Sequence, residues 1–340
     1  MPEIIRPNFQ GDAQFDQHLF TPYDFLQIEN VLYSPREEEM LTRKLFKINT
    51  SYAPYAKEIG YDYYQREGSA RIMADGASAK DLNFVSEHGG RVTNIVYDIA
   101  TGIRYTAKER AALQAKRSLG KGPSIDLDTL RVSSARRFIL ETEAKCAFVG
   151  AKGVSGQSTY KLTGVLDDSF YDASGDLGLK ETVAAGATSG YTPWSNATGT
   201  QKKLPTEILS DLQRALQYVE KDGLFKAEAL VLPPAQYALL RQPYSTLNPM
   251  TLLDWLKSEG MYFEQILASR QMKAGNNGDT VDYFMVIDND PEVVQMALTY
   301  DITMGNPVYD ILMTMEMMVS EGFGGILFRH PAGCYVGKGI

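Results

Sequence analysis

The sequence predicts an α+β fold, in which helices and strands are interleaved without a regular βαβ rhythm. Helical patterns with a period of 3.6 residues occupy 127–150 and 206–219, whereas apolar residues alternate with period two over 59–64 and 309–320. The chain has 340 residues, of which 44% are hydrophobic and 22% charged, a composition typical of globular proteins. This length predicts two domains or one elaborate domain.

The charge balance and the scarcity of Cys and His exclude several classes of protein. The 34 Lys and Arg residues against 42 Asp and Glu residues give a formal net charge of −8, which disfavours a dedicated nucleic-acid binder. Two Cys and three dispersed His residues predict neither a disulfide framework nor a structural zinc site. No basic cluster leads into an apolar stretch, and no run of about 18 apolar residues occurs, so we expect neither a signal peptide nor a membrane span.

Residues 1–49 are predicted to form an N-terminal arm. Prolines are mixed there with dispersed apolar residues such as Phe15 and Phe20, and a short helical piece is expected over 35–46. The segment is too broken to build its own core and too apolar to remain fully solvated. We therefore expect it to lie along another surface, within the chain or on a neighbouring subunit. A partly ordered tail is the alternative.

Residues 58–99 predict a long hairpin. Ile59, Tyr61 and Tyr63 alternate with other residues, and the alternation returns from Val92 to Asp98. The intervening sequence is rich in small residues, and a connection of this length is unusual inside a compact domain. A two-stranded hairpin that stands away from the body is not stable alone, so it needs a partner surface.

Three longer helices have recognisable ends. Thr106 and Glu109 have the spacing of a capping box, in which each residue bonds the backbone N–H of the other. The second helix has about 25 residues and a length of roughly 37 Å, which favours a scaffold role. The predicted helices run from Thr106 to Leu119, from Leu127 to Gly150 and from Thr206, as the cap, to Gly223.

The remaining apolar runs predict strands and two short helices. The last strand is unusually long, with twelve residues of period two that end near Gly322. Short helices are expected at Pro234 and over Thr251–Lys257. The predicted strands are Leu162–Asp168, Ala229–Leu232, Tyr262–Leu267, Tyr283–Ile287, Val293–Thr299 and Tyr309–Ser320.

Signals of catalysis or ligand binding are weak. No glycine-rich nucleotide loop and no nucleophile elbow occurs. Asp167 and Asp168 would point to opposite faces of a strand, and residues 288–291 favour a turn over a calcium loop. We therefore predict no catalytic residue, no cofactor and no metal site. An unrelated α+β enzyme that uses His330 or Asp288 is the alternative.

The order of these elements resembles the major capsid proteins of tailed phages, with the Hong Kong 97-type shell fold that encapsulin nanocompartments share. The loop counterpart is ARIMADGASAKDLNFVSEHGG with the return RVTNIVYDIATGIRYTAKERAAL. The spine-helix counterpart is TLRVSSARRFILETEAKCAFVG, followed by LTGVLDD. The strand and helix of the axial domain have their counterpart in AEALVLPPAQYALLR. The long strand and terminal return have theirs in NPVYDILMTMEMMVSEGFGGILFRHPAGCYVGKGI.

The resemblance implies a division into four parts. These are an arm at 1–49, an extended loop (long β-hairpin) at 58–99, a peripheral domain with the spine helix at 50–57, 100–163 and 305–326, and an axial domain at 164–304 and 327–340. It implies a major capsid protein without enzymatic activity, which self-assembles through hexamers and pentamers into an icosahedral shell around phage double-stranded DNA. An encapsulin-like compartment is the alternative.

The resemblance also implies the partners and the location. Besides copies of itself, the expected partners are a portal, a decoration protein and a separate scaffolding protein, although the short arm also allows none. Packaged DNA would be contacted only non-specifically, because phosphate binding scales with Lys and Arg. We expect no membrane association, assembly in the host cytoplasm and residence in the virion capsid.

Apolar residues in segments without a core are the predicted intersubunit contacts. In the arm these are Phe15 and Phe20, and at the tip of the loop they are Ile72 and Met73 with the neighbouring Arg71. Such side chains gain burial only when another copy covers them.

Overall fold

The computed structural model describes residues 40–72, 83–119, 127–172, 177–196, 199–244, 250–260 and 263–340. The predicted contacts Phe15, Phe20 and Met73, together with most of the arm, lie outside the described residues. Within the described ranges, no helix is both long and apolar enough to cross a bilayer.

The helices confirm most of the predicted helix ends. At the start of the helix Ala107–Leu119, the backbone N–H of Glu109 donates to Thr106 Oγ1 and the backbone N–H of Thr106 donates to Glu109 Oε2, so the predicted capping box is present. Thr206 is not the cap of α4, because Pro205 already occupies the first helical position. In the described chain the helices are α1 (Thr42–Leu45), α2 (Ala107–Leu119), α3 (Leu127–Val149), α4 (Pro205–Glu220), α5 (Pro234–Leu239) and α6 (Leu252–Trp255).

Among the described residues, the strands form two five-stranded sheets and a separate two-stranded hairpin. The predicted strand at 262–267 is displaced to Gln265–Ala268, whereas Ala229–Leu232 and Tyr283–Ile287 occur as predicted. The strands are β1 (Lys47–Asn49), β2 (Glu58–Glu67), β3 (Ser86–Ile95), β4 (Tyr97–Tyr105), β5 (Leu179–Thr182), β6 (Ala229–Leu232), β7 (Gln265–Ala268), β8 (Tyr283–Ile287), β9 (Val294–Met304), β10 (Val308–Tyr309), β11 (Met315–Phe328) and β12 (Cys334–Lys338).

The first sheet is built around β11. Antiparallel partners lie on both sides of this strand, with β4 along 315–323 and β9 along 319–328, while β10 pairs with its first residues. The short β1 adds to β9 in parallel. The second sheet has the order β5-β12-β8-β6-β7.

The predicted twelve-residue strand over 309–320 is wrong at both ends. A tight turn interrupts the chain after β10, where the Met313 N–H donates to Asp310 O at 2.8 Å and Met313 adopts a φ of +62°. The strand then continues past Gly322 to Phe328. Alternation therefore identified the strand but could not distinguish its first half from an exposed apolar turn.

The carboxyl end of α3 is closed by a loop, not by the predicted strand over 162–168. The N–H groups of Val165 and Leu166 donate to the carbonyls of Ala147 and Phe148, which have no partner within the helix. Gly150 has a φ of +77° and lies so close to this loop that a Cβ would collide with the carbonyl oxygen of Leu162. The loop therefore caps the helix and joins no sheet.

Two large cores stabilise the molecule. One lies between the two sheets and the end of α3. It includes Phe46 packed against Phe148, with the rings tilted and 5.8 Å between their centroids. The other lies between the second sheet and α4, around the fully buried Trp194, whose indole N–H donates to Asp211 at 2.8 Å. A smaller cluster joins α3 to β4 through Ile103 and Ile139.

The hairpin is joined to the first sheet with almost no connecting chain. Strands β2 and β3 pair over ten residues, from Glu58 with Ile95 to Glu67 with Ser86, so the predicted pairing is present. Val96 alone separates β3 from β4. The second predicted strand of the hairpin, Val92 to Asp98, is therefore divided between the hairpin and the sheet.

We expect Gly150→Ala to destabilise the protein more than Gly156→Ala. Both glycines have a φ of +77°, but a Cβ at position 156 meets no atom within 4 Å. The free energy of unfolding of the control variant, Gly156→Ala, should fall only by the cost of placing a residue with a Cβ in the left-handed region, about 1–2 kcal/mol. The clash with Leu162 should add a further 1–3 kcal/mol, about the cost of overpacking.

The measurement is the free energy of unfolding of the unassembled protein in denaturant, with circular dichroism as the signal. Equal losses for the two variants would show that the loop at 162–166 moves away at no cost, against this account of the helix end.

Candidate intersubunit surface

The base of the hairpin is fixed to β11. Tyr61 donates its hydroxyl hydrogen bond to the Phe328 carbonyl at 3.1 Å, and Asn94 Nδ2 donates to the Ile326 carbonyl at 3.1 Å. Ile59 is buried beside these contacts. Within the described chain, these anchors lie at residues 59–61 and 94–96, which form the base of the hairpin.

Beyond this base, the described part of the hairpin is exposed on both strands. Its apolar side chains include Tyr63, Tyr64 and Phe84, the last with 82% of its surface accessible. In the described chain no third strand pairs with β2 or β3, so both edges keep free backbone donors and acceptors. Because a two-stranded ribbon is marginal in water, this geometry favours a further contact surface from outside the chain.

One cross-strand ion pair stiffens the hairpin without providing a core. Arg91 lies opposite Asp62 in the strand register and donates to both of its oxygens, with the closer approach at 2.5 Å from Nε to Oδ1. This hydrogen bonding lowers the pKa of Asp62. Both side chains are exposed, so the pair orients the ribbon and adds little to stability.

The structure describes two of the five predicted intersubunit contacts, and their role as contacts stays a prediction. Arg71 and Ile72 follow the end of β2 and are exposed, Ile72 with 99% of its surface accessible. An isoleucine in that position gains nothing from its own subunit. The other three predicted contacts, Phe15, Phe20 and Met73, lie outside the described residues.

A second exposed apolar surface was missed by the sequence analysis. The turn between β10 and β11 presents Ile311, Leu312 and Met313 to solvent, Ile311 with 97% of its surface accessible. Met304 of β9 and Met318 of β11 are also exposed. We name residues 311–313 the apolar turn. Its alternating pattern looked like a buried strand, and no local signal marked the positive φ at Met313.

A groove of about 330 Å³ lies between β4 and the spine helix α3. Its rim carries the exposed Phe138 and two arginines. Arg131 donates to the Arg104 carbonyl at 2.7 Å and to Glu109 at 2.9 Å. Its bond to Glu109, together with the Thr106 N–H, lowers the pKa of Glu109 to about 2. The groove therefore has one exposed aromatic ring and two guanidinium groups at its rim.

The residues considered for chemistry have structural roles. Asp288 accepts hydrogen bonds from the N–H groups of Lys226 and Asp290, which is a turn arrangement. His330 packs against Phe225, with the two rings tilted and 6.1 Å between their centroids. Burial raises the pKa of the Cys146 thiol to about 11. Among the residues that the structure describes, no group of three or more His, Cys, Asp or Glu side chains is arranged to hold a metal ion.

The fold is similar to that of several solved shell proteins. The capsid of Myoviridae phage XM1 has a TM-score of 0.73 at 10% identity, over 95% of this chain and 99% of that chain. The capsid of a native GTA particle has a TM-score of 0.61 at 13% identity, over 96% and 98%. A virus-like particle from Pyrococcus furiosus has a TM-score of 0.51 at 16% identity, over 86% and 90%. The likeness confirms the α+β shell fold that the resemblance implied.

Comparison at the level of sequence gives a family. No curated protein matches the chain. The family model of the major capsid protein matches residues 68–340, which include the second strand of the hairpin, the spine helix, the second sheet and every strand of the first sheet except β1. The chain therefore belongs to the major capsid protein family.

Proposed function

We propose that the protein self-assembles through hexamers and pentamers into an icosahedral shell that encloses phage double-stranded DNA. The observation that carries this proposal is the exposed hairpin, whose apolar side chains and open edges lack a partner within the described chain. The host cytoplasm is the proposed place of assembly. A portal, a decoration protein and a separate scaffolding protein remain proposed partners.

Repeated contacts of modest strength suit a shell of many copies. Each interface must dissociate when it forms wrongly, so no single contact can be very strong. A hairpin that reaches over a neighbour adds contact area after the body has docked. The apolar turn supplies a second self-association surface at the far end of the first sheet.

The charge of the chain supports a container that holds DNA only non-specifically. Its formal net charge is −8, and tight binding to phosphates requires clustered Lys and Arg. Asp288 accepts backbone hydrogen bonds and His330 packs against Phe225, so both residues have structural contacts. This supports a structural protein without enzymatic activity.

The domain boundaries remain a proposal with one amendment. Two separate sheets, of which the second has a core of its own against α4, support a peripheral and an axial domain that share the core between the sheets. Residues 294–304 were assigned to the axial domain, but β9 pairs with β11 along most of its length. We therefore propose that 294–304 belong with the peripheral domain.

The proposal is tested by electron microscopy and sedimentation of the overexpressed protein, with and without a co-expressed scaffold. Hollow particles of uniform diameter are expected. A monodisperse monomer at high concentration under both conditions would overturn the proposal.

An encapsulin-like compartment is the alternative, and the similarity to the Pyrococcus particle favours it. An enzyme that co-purifies inside the particles would select that alternative, and packaged DNA would exclude it.

We expect Ile72→Ala and Arg71→Ala to lower the yield of particles while the circular dichroism of the subunit stays unchanged. Ile72 is exposed in the subunit, so its loss should not affect folding. If a neighbour buries it, truncation removes about 1.5–3 kcal/mol from each contact, a tenfold or larger rise in the concentration needed for assembly.

Leu224→Ala is the matched control, because Leu224 is also an exposed apolar side chain but lies in a loop outside both proposed surfaces. Equal yields for the Ile72 and Leu224 variants would remove the loop tip from the interface.

The double variant Ile311→Ser with Leu312→Ser tests the apolar turn separately. Both side chains are exposed, so the free energy of unfolding of the subunit should change by less than about 0.5 kcal/mol per residue. Particle yield, measured by sedimentation, should fall, whereas Leu224→Ser should assemble normally. Wild-type yield of the double variant would leave the hairpin as the sole supported contact.

A further inference from the structure

A charged cluster fixes the first described helix to the centre of the molecule. Arg43 in α1 donates from Nη2 to Glu143 of α3 at 2.6 Å and to Glu321 of β11 at 3.0 Å. Its Nη1 donates to Asp301 of β9 at 3.0 Å. One guanidinium thus joins three elements that are distant in sequence.

The buried part of the cluster contains two carboxyl groups but only one guanidinium. The side chains of Glu143 and Glu321 are 1% and 0% exposed, whereas Asp301 is at the surface. The Oε2 atom of Glu321 is buried and has no hydrogen-bond partner. If both buried glutamates were ionised, one guanidinium could not compensate two charges removed from water.

The other groups around Glu321 supply no second positive charge to the buried pair. Tyr300 of β9 donates its hydroxyl hydrogen bond to Asp98, and Cys146 of α3 is a buried thiol next to Glu143. The positive charge of Arg136 interacts with the exposed Asp301, outside the buried pair. Burial, and then the neighbouring Glu143, raise the pKa of Glu321 to about 9. The bonds to Glu143 and Glu321 outweigh burial and raise the pKa of Arg43.

We propose that Arg43, Glu143 and Glu321 form a proton-dependent clamp, which holds residues 40–49 on the spine helix and the first sheet while Glu321 keeps its proton. The segment has further contacts of its own. Phe46 is buried in the main core, and β1 pairs with β9 from Lys47 to Asn49. The clamp therefore regulates how firmly the root of the N-terminal arm is held, independently of any assembly.

The direction of the pH dependence follows from the two states of Glu321. In an open form, Glu321 is solvated and has its ordinary pKa of 4.5, whereas the closed form keeps the proton up to about pH 9. The stability of the closed form is fully present below about pH 4.5 and is lost progressively as the pH rises towards 9. One proton corresponds to about a tenfold rise in the opening constant per pH unit.

Hydrogen exchange of the full-length protein tests the clamp. After correction for the intrinsic rate, the protection of amides in 42–49 should fall by up to about tenfold per unit between pH 6 and 8 in the wild type. Glu321→Gln imitates the protonated side chain and should remove this slope. Glu141→Gln lies two residues from Glu143 on the same helix but changes a half-buried pair with Arg137 outside the cluster, so it should keep the wild-type slope.

An unchanged slope in Glu321→Gln would overturn the proposal. A second measurement serves if that variant does not fold. In wild-type protein with isotope-labelled glutamate, infrared spectroscopy should detect a protonated carboxyl group at pH 7 that titrates near pH 9. Complete ionisation of all glutamates at pH 7 would equally overturn it.

Discussion

Strand β11 can occupy the centre of the molecule because glycines at 322 and 324 leave room for its neighbours. A Cβ at Gly322 would collide with Thr299 Oγ1, and a Cβ at Gly324 would collide with the side chain of Ile59 at the base of the hairpin. The absence of these atoms lets β9 on one side and the hairpin on the other approach the same strand. The same strand supplies Glu321 to the charged cluster and two carbonyls to the hairpin. The position of each outer element therefore depends on this strand.

Elements with local end signals could be predicted from the sequence. The capping box of Thr106 and Glu109 and the glycine after the spine helix act through neighbouring residues, so both helix ends were found. The loop at 162–168 could not be identified, because its role is to satisfy carbonyls of a helix that ends thirteen residues earlier. No residue within the loop indicates that its partners are the carbonyls at the end of the helix, and its apolar residues have the pattern of a strand.

The candidate surface was predictable only in part, for a related reason. An apolar residue buried by another subunit and one buried by its own core have the same chemistry, so their sequence pattern is the same. Ile72 was recognised because its segment has no periodicity that would supply a core. Ile311 and Leu312 continue a period-two pattern, and only the coordinates show that they face solvent. The charged cluster combines residues from four elements, and no spacing along the chain relates them.

The single residue between β3 and β4 has a mechanical consequence. Val96 is the whole connection between β3 and β4, whereas residues 50–57 join β2 to β1, and the base is held by the buried Ile59 and two hydrogen bonds to β11. On the β3 side, one residue leaves no slack in which a displacement of the hairpin could be absorbed. Tension applied to its outer end is therefore transmitted along β4 to the spine helix, and the ribbon acts as a lever on the body from which it extends.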